Sequence, residues 1–162
     1  MNFNRQVSQA LDIEHRSNLD LLGRVEQAFA RAPRPVDDPQ FRKLAGAFVR
    51  LIDLDVGRHF DFEEQQLFPR MVESGEADIA GMLQEEHDAI RAVAAEILPL
   101  AQAAAAGPLD ADRYDALRRG ALEMVERQVA HIQKETMALL PLVEDLLDEE
   151  VDRELAFAYA SN

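Results

Sequence analysis

Apolar side chains recur every three or four residues along most of the chain, which is the spacing of one face of an α-helix. The first such stretch ends before Pro33 and Pro35, and its helix-face positions are Val7, Leu11, His15, Leu19, Leu22, Val25 and Phe29. The Pro-rich segment that continues to Pro39 is predicted to be a loop, because proline interrupts helices and favours turns.

Two further stretches with the same spacing predict a second and a third helix. The second runs towards Ser74-Gly75 with a kink near Pro69, and its positions are Phe41, Leu44, Phe48, Leu51, Asp55, His59, Phe62 and Leu67. The third stops at Gly107-Pro108, and its positions are Ile79, Leu83, His87, Ile90, Ala94 and Ile97. Pro99 lies inside this stretch and predicts either a kink or an earlier end.

A fourth helix is predicted to begin at Asp110, whose side chain suits a helix N-cap, and its positions are Leu117, Ala121, Met124, Gln128, His131 and Glu135. Acidic and apolar residues alternate after Pro141, and this tail is compatible with a short fifth helix.

Four long helices with short connections predict an all-α, antiparallel up-down four-helix bundle. The predicted single domain covers residues 1–162, with a helix pair at about 5–74, a second at about 76–146, and a C-terminal tail at 147–162.

The second helix pair repeats the first at an offset of 72 residues. The separation between His15 and His59 is 44 residues, and the same separation joins His87 to His131. The offset also relates Glu14 to Glu86, Leu11 to Leu83, Glu63 to Glu135, Leu67 to Leu139 and Pro69 to Pro141. This indicates an internal duplication. Packed about a pseudo-twofold axis, the two pairs would bring all four histidines and both repeated glutamates together.

The repeated His-x-x-x-Glu pairs predict a metal site. Residues four apart share one helical face, so such a histidine and glutamate can reach into one cavity. A single pair is usually an ordinary surface contact, but here each of four helices carries one of the four histidines of the chain. Burying them with two carboxylates and no cation would be costly. The predicted ligands of two cations are His15, His59, Glu63, His87, His131 and Glu135, a donor set that suits iron and admits manganese or zinc.

Composition and charge narrow the alternatives. The chain has no Cys, which excludes thiolate ligands, disulfides and thiol catalysis. A net charge of −14 argues against nucleic acid and anionic membranes as partners. The start of the chain is polar and lacks a signal-peptide pattern, and no apolar run approaches the length of a membrane span. We therefore expect a cytoplasmic protein with no membrane partner.

At these residues the sequence resembles the hemerythrin-like, HHE cation-binding family. The resemblance covers nearly the whole chain. The matching segments are Glu14-His15-Arg16, His59-Phe-Asp-Phe-Glu63, Glu86-His87, His131-Ile-Gln-Lys-Glu135, Leu-Phe-Pro69 and Leu-Leu-Pro141. The resemblance implies a four-helix bundle around a non-haem di-iron centre, oxo- or hydroxo-bridged, with Glu63 and Glu135 as bridging carboxylates. Oxygen-carrying members have a fifth histidine ligand one turn after the histidine of the third helix, and here that position is Arg91.

Without the fifth imidazole, simple oxygen transport is not the expected function. We expect a di-iron protein that binds or reacts with dioxygen, peroxide or nitric oxide, in sensing, storage or detoxification. The alternatives are an iron donor in iron–sulfur cluster repair, and a structural or interaction module that metal holds together. Arg91 is either a surface salt-bridge partner or a cation near the open side of the metals, where it could attract an anion.

Other polar residues are weaker candidates. Asp55 and Gln128 are possible hydrogen-bond partners of ligand imidazoles. Tyr114 and Tyr159 are possible oxygen ligands or electron donors, although ordinary packing is the commoner role of a tyrosine. Asp61 and Glu64 point elsewhere on their helix than the ligand face, and we expect the replacement of either to be mild.

Overall fold

The computed structural model describes residues 2–31 and 37–161, and within them the chain forms five helices and no strand. Their bounds are Gln6–Ala30 for α1, residues 39–73 for α2, Ala77–Ala106 for α3, residues 111–146 for α4 and Glu149–Ser161 for α5. α1 and α3 each pack against both α2 and α4, which is the arrangement of a four-helix bundle. The predicted all-α bundle is therefore confirmed, and the tail does form a short fifth helix.

Helix ends follow the chemistry of the terminal residues. The Asp110 carboxylate accepts a hydrogen bond of 2.8 Å from the backbone N–H of Arg113, as the predicted N-cap of α4 should. α3 passes through Pro99 and ends at Ala106, with Gly107 as its C-cap residue, so the predicted earlier end is wrong. Pro99 is exposed, and water can therefore satisfy the carbonyl group that its missing N–H leaves free. The loop predicted around Pro33 and Pro35 lies outside the described residues.

Parts of α2 and α4 are wound more widely than an α-helix. The π-helical segments are Ile52–His59, Glu63–Leu67 and Glu135–Leu139, and the last two are related by the 72-residue offset. Phe68 N–H donates to the Glu63 carbonyl and Leu140 N–H to the Glu135 carbonyl, five residues back in each case. π-turns are rare and often mark functional sites. The sequence predicts a kink near Pro69, and the structure has this wider turn just before it.

The apolar core consists of two clusters that leave a gap across the bundle. One cluster includes Leu22, Phe48, Ile97, Leu117 and Met124. The other includes Val7, Leu11, Leu67, Met71, Leu83 and Leu139. On each helix of the bundle, the predicted ligands lie in or beside the stretch between the residues of the two clusters. The polar set is thus enclosed by apolar packing on both sides.

α5 is fastened to the start of α1. Asp152 is 4% exposed, and its carboxylate accepts hydrogen bonds from the backbone N–H groups of Gln6 at 2.8 Å and Val7 at 2.9 Å. These N–H groups are among those that an α-helix leaves free in its first turn, where a negative charge is also favoured by the helix dipole. α5 therefore caps α1 from a distant part of the chain.

In the part of the chain that the structure describes, α3 alone is long and apolar enough to cross a membrane, judged by length and composition. The expectation that no apolar run approaches a membrane span is wrong by this criterion. The core helix of a bundle passes the same test, and α3 packs between α2 and α4 with His87 fully buried. The feature is weak support for a membrane partner.

Candidate metal centre

The six predicted ligands converge in the gap between the apolar clusters. They come from four helices, and none is more than 1% exposed. Their donor atoms form two groups, one with His15 and His59 and the other with His87 and His131, and both groups contain Glu63 and Glu135. Within each group the donor atoms lie within 4.8 Å of one another. The geometry therefore offers two adjacent cation positions with both carboxylates in common.

The Nε2 atoms of all four imidazoles face these carboxylates. The distances are His59 to Glu63 Oε1 2.7 Å, His87 to Glu63 Oε2 3.2 Å, His15 to Glu135 Oε2 2.9 Å and His131 to Glu135 Oε1 2.5 Å. Each glutamate thus contacts histidines from both halves of the repeat, and Glu135 also lies 3.3 Å from His87 Nε2 and 3.8 Å from His59 Nε2. This is the arrangement that two bridged ions require.

Two of the central atoms are buried without a well-oriented hydrogen bond. They are Glu63 Oε2 and His131 Nε2. A buried polar atom in this state destabilises the fold, whereas a cation would satisfy both atoms at once. With neutral imidazoles, the donor set has the negative charge of its carboxylates and no positive charge, which favours a bound cation. The residues present therefore fit a metal pair.

When no cation is bound, the neighbouring carboxylates favour the protonated form of three of the imidazoles, His59, His87 and His131. Burial opposes a charge on His59, but the surrounding carboxylates, Glu63 first, together outweigh burial and raise the pKa of His59 well above its usual range. Burial likewise opposes a charge on His87, and Glu135 with Glu63 raises its pKa to about 9. Burial also favours the neutral form of Glu135, yet the neighbouring imidazoles, His131 first, hold its pKa well below its usual range. A bound cation would take the place of these protons.

The second ring nitrogen of every imidazole, Nδ1, meets a side-chain oxygen outside the centre. The contacts are His15 with Thr136 Oγ1 at 3.0 Å, His59 with Glu14 Oε2 at 2.8 Å, His87 with Glu64 Oε2 at 3.0 Å and His131 with Glu86 Oε1 at 2.8 Å. Glu14 and Glu86 occupy equivalent positions of the repeat, and so do Glu64 and Thr136. An Nδ1–H group that donates outward leaves Nε2 free to bind a cation and fixes the ring orientation.

Sequence reasoning missed these outer partners. Glu14 and Glu86 are visible in the repeat, but each contacts a histidine on another helix and not the histidine beside it in sequence. The expectation that Glu64 points away from the site is wrong, since its carboxylate accepts from His87. A usable signal does exist, because each partner directly precedes or follows a predicted ligand in the sequence.

Asp55 and Gln128 form a smaller polar cluster beside His59. Asp55 Oδ1 lies 3.4 Å from His59 Nδ1 and accepts from Asn18 at 2.8 Å. Gln128 Nε2 donates to Asp55 Oδ2 at 2.5 Å. Asp55 is therefore a more distant partner of His59, as predicted, whereas Gln128 reaches the site only through Asp55.

Arg91 lies at the edge of the site and points away from the metal positions. Its guanidinium is 2.6 Å from Glu64 Oε2 and 3.0 Å from Asp61 Oδ1, and it lies over the ring of Phe60 at 5.6 Å. These contacts match the interpretation of Arg91 as a surface salt-bridge partner. Arg91 is connected to the centre through Glu64, which contacts His87, and through Phe60, whose ring stacks on His87.

The two tyrosines have different surroundings. Tyr114 packs with Phe29 and Phe41 at centroid distances of 5.8 and 5.9 Å, in the first apolar cluster. Tyr159 of α5 donates a hydrogen bond to Glu14 Oε2, the oxygen that also accepts from His59. Only Tyr159 is therefore connected to the candidate centre by these contacts.

Comparison with known proteins gives one family. The family described as Hemerythrin HHE cation binding domain matches residues 6–143. No curated protein matches the sequence. The match includes the six predicted ligands and their four outer partners, and it ends before α5 begins.

Proposed function

The chain belongs to the hemerythrin HHE cation-binding family, and from this we propose that it is a non-haem di-iron protein that reacts with a small oxidant: dioxygen, peroxide or nitric oxide. The observation that carries the proposal is the pair of donor groups that have both Glu63 and Glu135 in common. Imidazole with carboxylate suits iron, and manganese or zinc are the alternatives. We propose His15, His59, Glu63, His87, His131 and Glu135 as the ligands.

The side chains around the proposed metal positions determine the environment that an oxidant would meet. Iron at these positions would supply electrons to it. The ring of Phe60 stacks on His87 at a centroid distance of 3.7 Å, and Phe68 lies 5.3 Å from the same ring. Together with the burial of the ligands, this packing keeps bulk water out of the centre. Arg91 stands where oxygen carriers have the fifth histidine, and it is engaged by Asp61 and Glu64.

The test begins with metal content. Protein loaded with ferrous iron under anaerobic conditions should hold about two ions per chain, since the geometry offers two positions. His131→Ala should reduce this number, whereas Gln133→Ala, at an exposed position of the same helix, should not. The proposed centre would be contradicted if the wild-type protein bound a single ion. It would also be contradicted if His131→Ala held as much iron as the wild type.

Reactivity is tested on the same loaded protein. The absence of a fifth imidazole leaves both ions open to an incoming molecule, so we expect the reduced protein to consume dioxygen or peroxide and to end in the oxidised form. An oxygen electrode and the near-ultraviolet absorbance follow the reaction. Oxygen that is fully recovered under vacuum would indicate a reversible carrier, and iron that stays reduced would favour a structural role for the metal.

A further inference from the structure

The two halves of the candidate centre differ in how their outer carboxylates are held. In the first half, Glu14 Oε2 accepts hydrogen bonds from both His59 Nδ1 and the phenol of Tyr159. In the second half, Glu86 Oε1 accepts from His131 Nδ1 while its Oε2 pairs with Lys134 Nζ. A neutral phenol therefore stands on one side of the pseudo-twofold axis and an ammonium group on the other. The duplication does not extend to these groups.

Tyr159 is held firmly enough for its hydroxyl group to have a fixed place. It is 7% exposed, its ring lies 4.6 Å from that of Phe62, and the guanidinium of Arg58 sits 4.6 Å above the ring. Arg58 also donates a hydrogen bond to the Tyr159 carbonyl oxygen. At its other end, α5 is fixed by the bonds that Asp152 accepts from Gln6 and Val7.

Such an outer group acts on the metal position through the imidazole between them. A carboxylate that accepts from Nδ1–H orients the ring and makes Nε2 a stronger donor. When the same carboxylate oxygen also accepts from a phenol, less of its charge is available to the imidazole. The effect is local to His59, because His131 donates to a different carboxylate, Glu86, which pairs with Lys134.

We propose that Tyr159, on a helix outside the family match, is a positioning residue that makes the two metal positions inequivalent. Its hydroxyl group fixes the carboxylate of Glu14 and, through it, the orientation and donor strength of His59. This inference rests on the proposed two-ion centre. The ion at His15 and His59 and the ion at His87 and His131 should accordingly differ in affinity.

Calorimetric titration with ferrous iron under anaerobic conditions measures this difference. Tyr159→Phe removes only the hydroxyl group and should change the affinity of one of the two binding steps by about tenfold, as is typical of outer partners of metal ligands. Lys134→Met should change the other step. Tyr114→Phe is the matched control, since it removes a phenol hydroxyl group seventeen residues before His131, about 25 Å away along α4.

Nuclear magnetic resonance of the zinc-loaded protein separates positioning from a general structural effect. With ¹⁵N-labelled histidine, Tyr159→Phe should shift the Nδ1–H resonance of His59 and leave that of His131 in place, and Glu14→Gln should shift the same resonance. Lys134→Met should move the His131 resonance instead. A change confined to thermal stability would not produce this selectivity.

The outcomes are distinct. Wild-type protein that binds fewer than two ions overturns the proposed centre and this inference with it. Wild-type protein that binds two ions while Tyr159→Phe alters neither step, or both equally, overturns this inference alone. A selective change in one step, with the matching shift at His59, supports it.

Discussion

Each buried imidazole is engaged through both of its ring nitrogens, and this determines what a cation must displace. Nδ1 donates outward, for example to Glu14 from His59, while Nε2 faces Glu63 or Glu135. In the metal-free protein the carboxylates favour a proton on the rings of His59, His87 and His131, since they raise the pKa of each. Metal binding therefore releases protons, and the affinity for metal should fall as the pH is lowered.

The protonated imidazoles also predict how the metal-free protein responds to pH. The pKa of His87 rises from its usual 6.5 to about 9 on folding, so its stabilising contribution is complete below about 6.5 and is lost as the pH rises through about 9. We expect the melting temperature of chelated protein to fall between these pH values. Circular dichroism measures it, with metal-loaded protein as the control that should vary less. A rising curve for the chelated protein would contradict the assignment.

The two glutamates that belong to both donor groups give a second prediction at the residue scale. Glu63 belongs to both donor groups, so Glu63→Ala should disturb both ions and lower the iron content from about two to less than one per chain. Gln65→Ala, at an exposed position two residues later, should leave the content unchanged. Atomic absorption on both purified variants decides the point. Equal iron in the two proteins would place Glu63 outside the centre.

The convergence of the six candidate ligands could be predicted from the sequence, but which outer partner contacts which imidazole could not. His59 and Glu63 are four residues apart on one helix, and that spacing alone places them on one face. Glu14 reaches His59 across the contact between two helices, and this depends on the packing angle and on side-chain direction. Spacing along one helix contains no information about either.

At the scale of the element, periodicity predicts helices but not their winding. Apolar positions three and four apart are compatible with both an α-helix and a short π-turn, so Glu63–Leu67 and Glu135–Leu139 were predicted only as helix. Pro69 and Pro141 offer a physical reason for the wider turns. Neither can donate to the carbonyl group four residues before it, and each ring crowds the preceding turn.

The crossing of α3 and α4 gives a prediction about a glycine. A Cβ atom at Gly120 would lie 2.1 Å from Ile97 Cγ2, and Ile97 is 2% exposed and cannot move freely. Gly120→Ala should therefore destabilise the protein by about 1–3 kcal/mol, more than the gain in helix propensity returns. Urea denaturation measures the change.

Gly23 provides the matched control for this substitution. It lies at an exposed position of α1, and a Cβ atom there would meet nothing within 4 Å. Gly23→Ala should stabilise the protein by about 0.5–1 kcal/mol, because alanine favours the helix. If both substitutions stabilised the protein, α3 and α4 would not approach each other as closely as the structure has them.

At the scale of the whole molecule, the 72-residue repeat predicts that the two helix pairs meet at the ligands, and the structure places all six there. The docking of α5 was not predictable in the same way. Asp152 meets the start of α1 from the opposite end of the chain, and in the sequence it stands among other acidic residues with the pattern of a solvated face. Long-range capping of this kind leaves no periodic signal.

The last prediction follows from the origin of the ligands in both helix pairs. A metal that binds only the folded state stabilises it, by about 2.7 kcal/mol at 100 times its dissociation constant. About 1 kcal/mol shifts the melting temperature of a domain of this size by roughly 2–4 °C, so chelation should lower it by roughly 5 °C or more. In Glu63→Ala, which has lost a ligand of both positions, the chelator should have little further effect. A wild-type melting temperature that chelation leaves unchanged would mean that the metals do not join the two helix pairs.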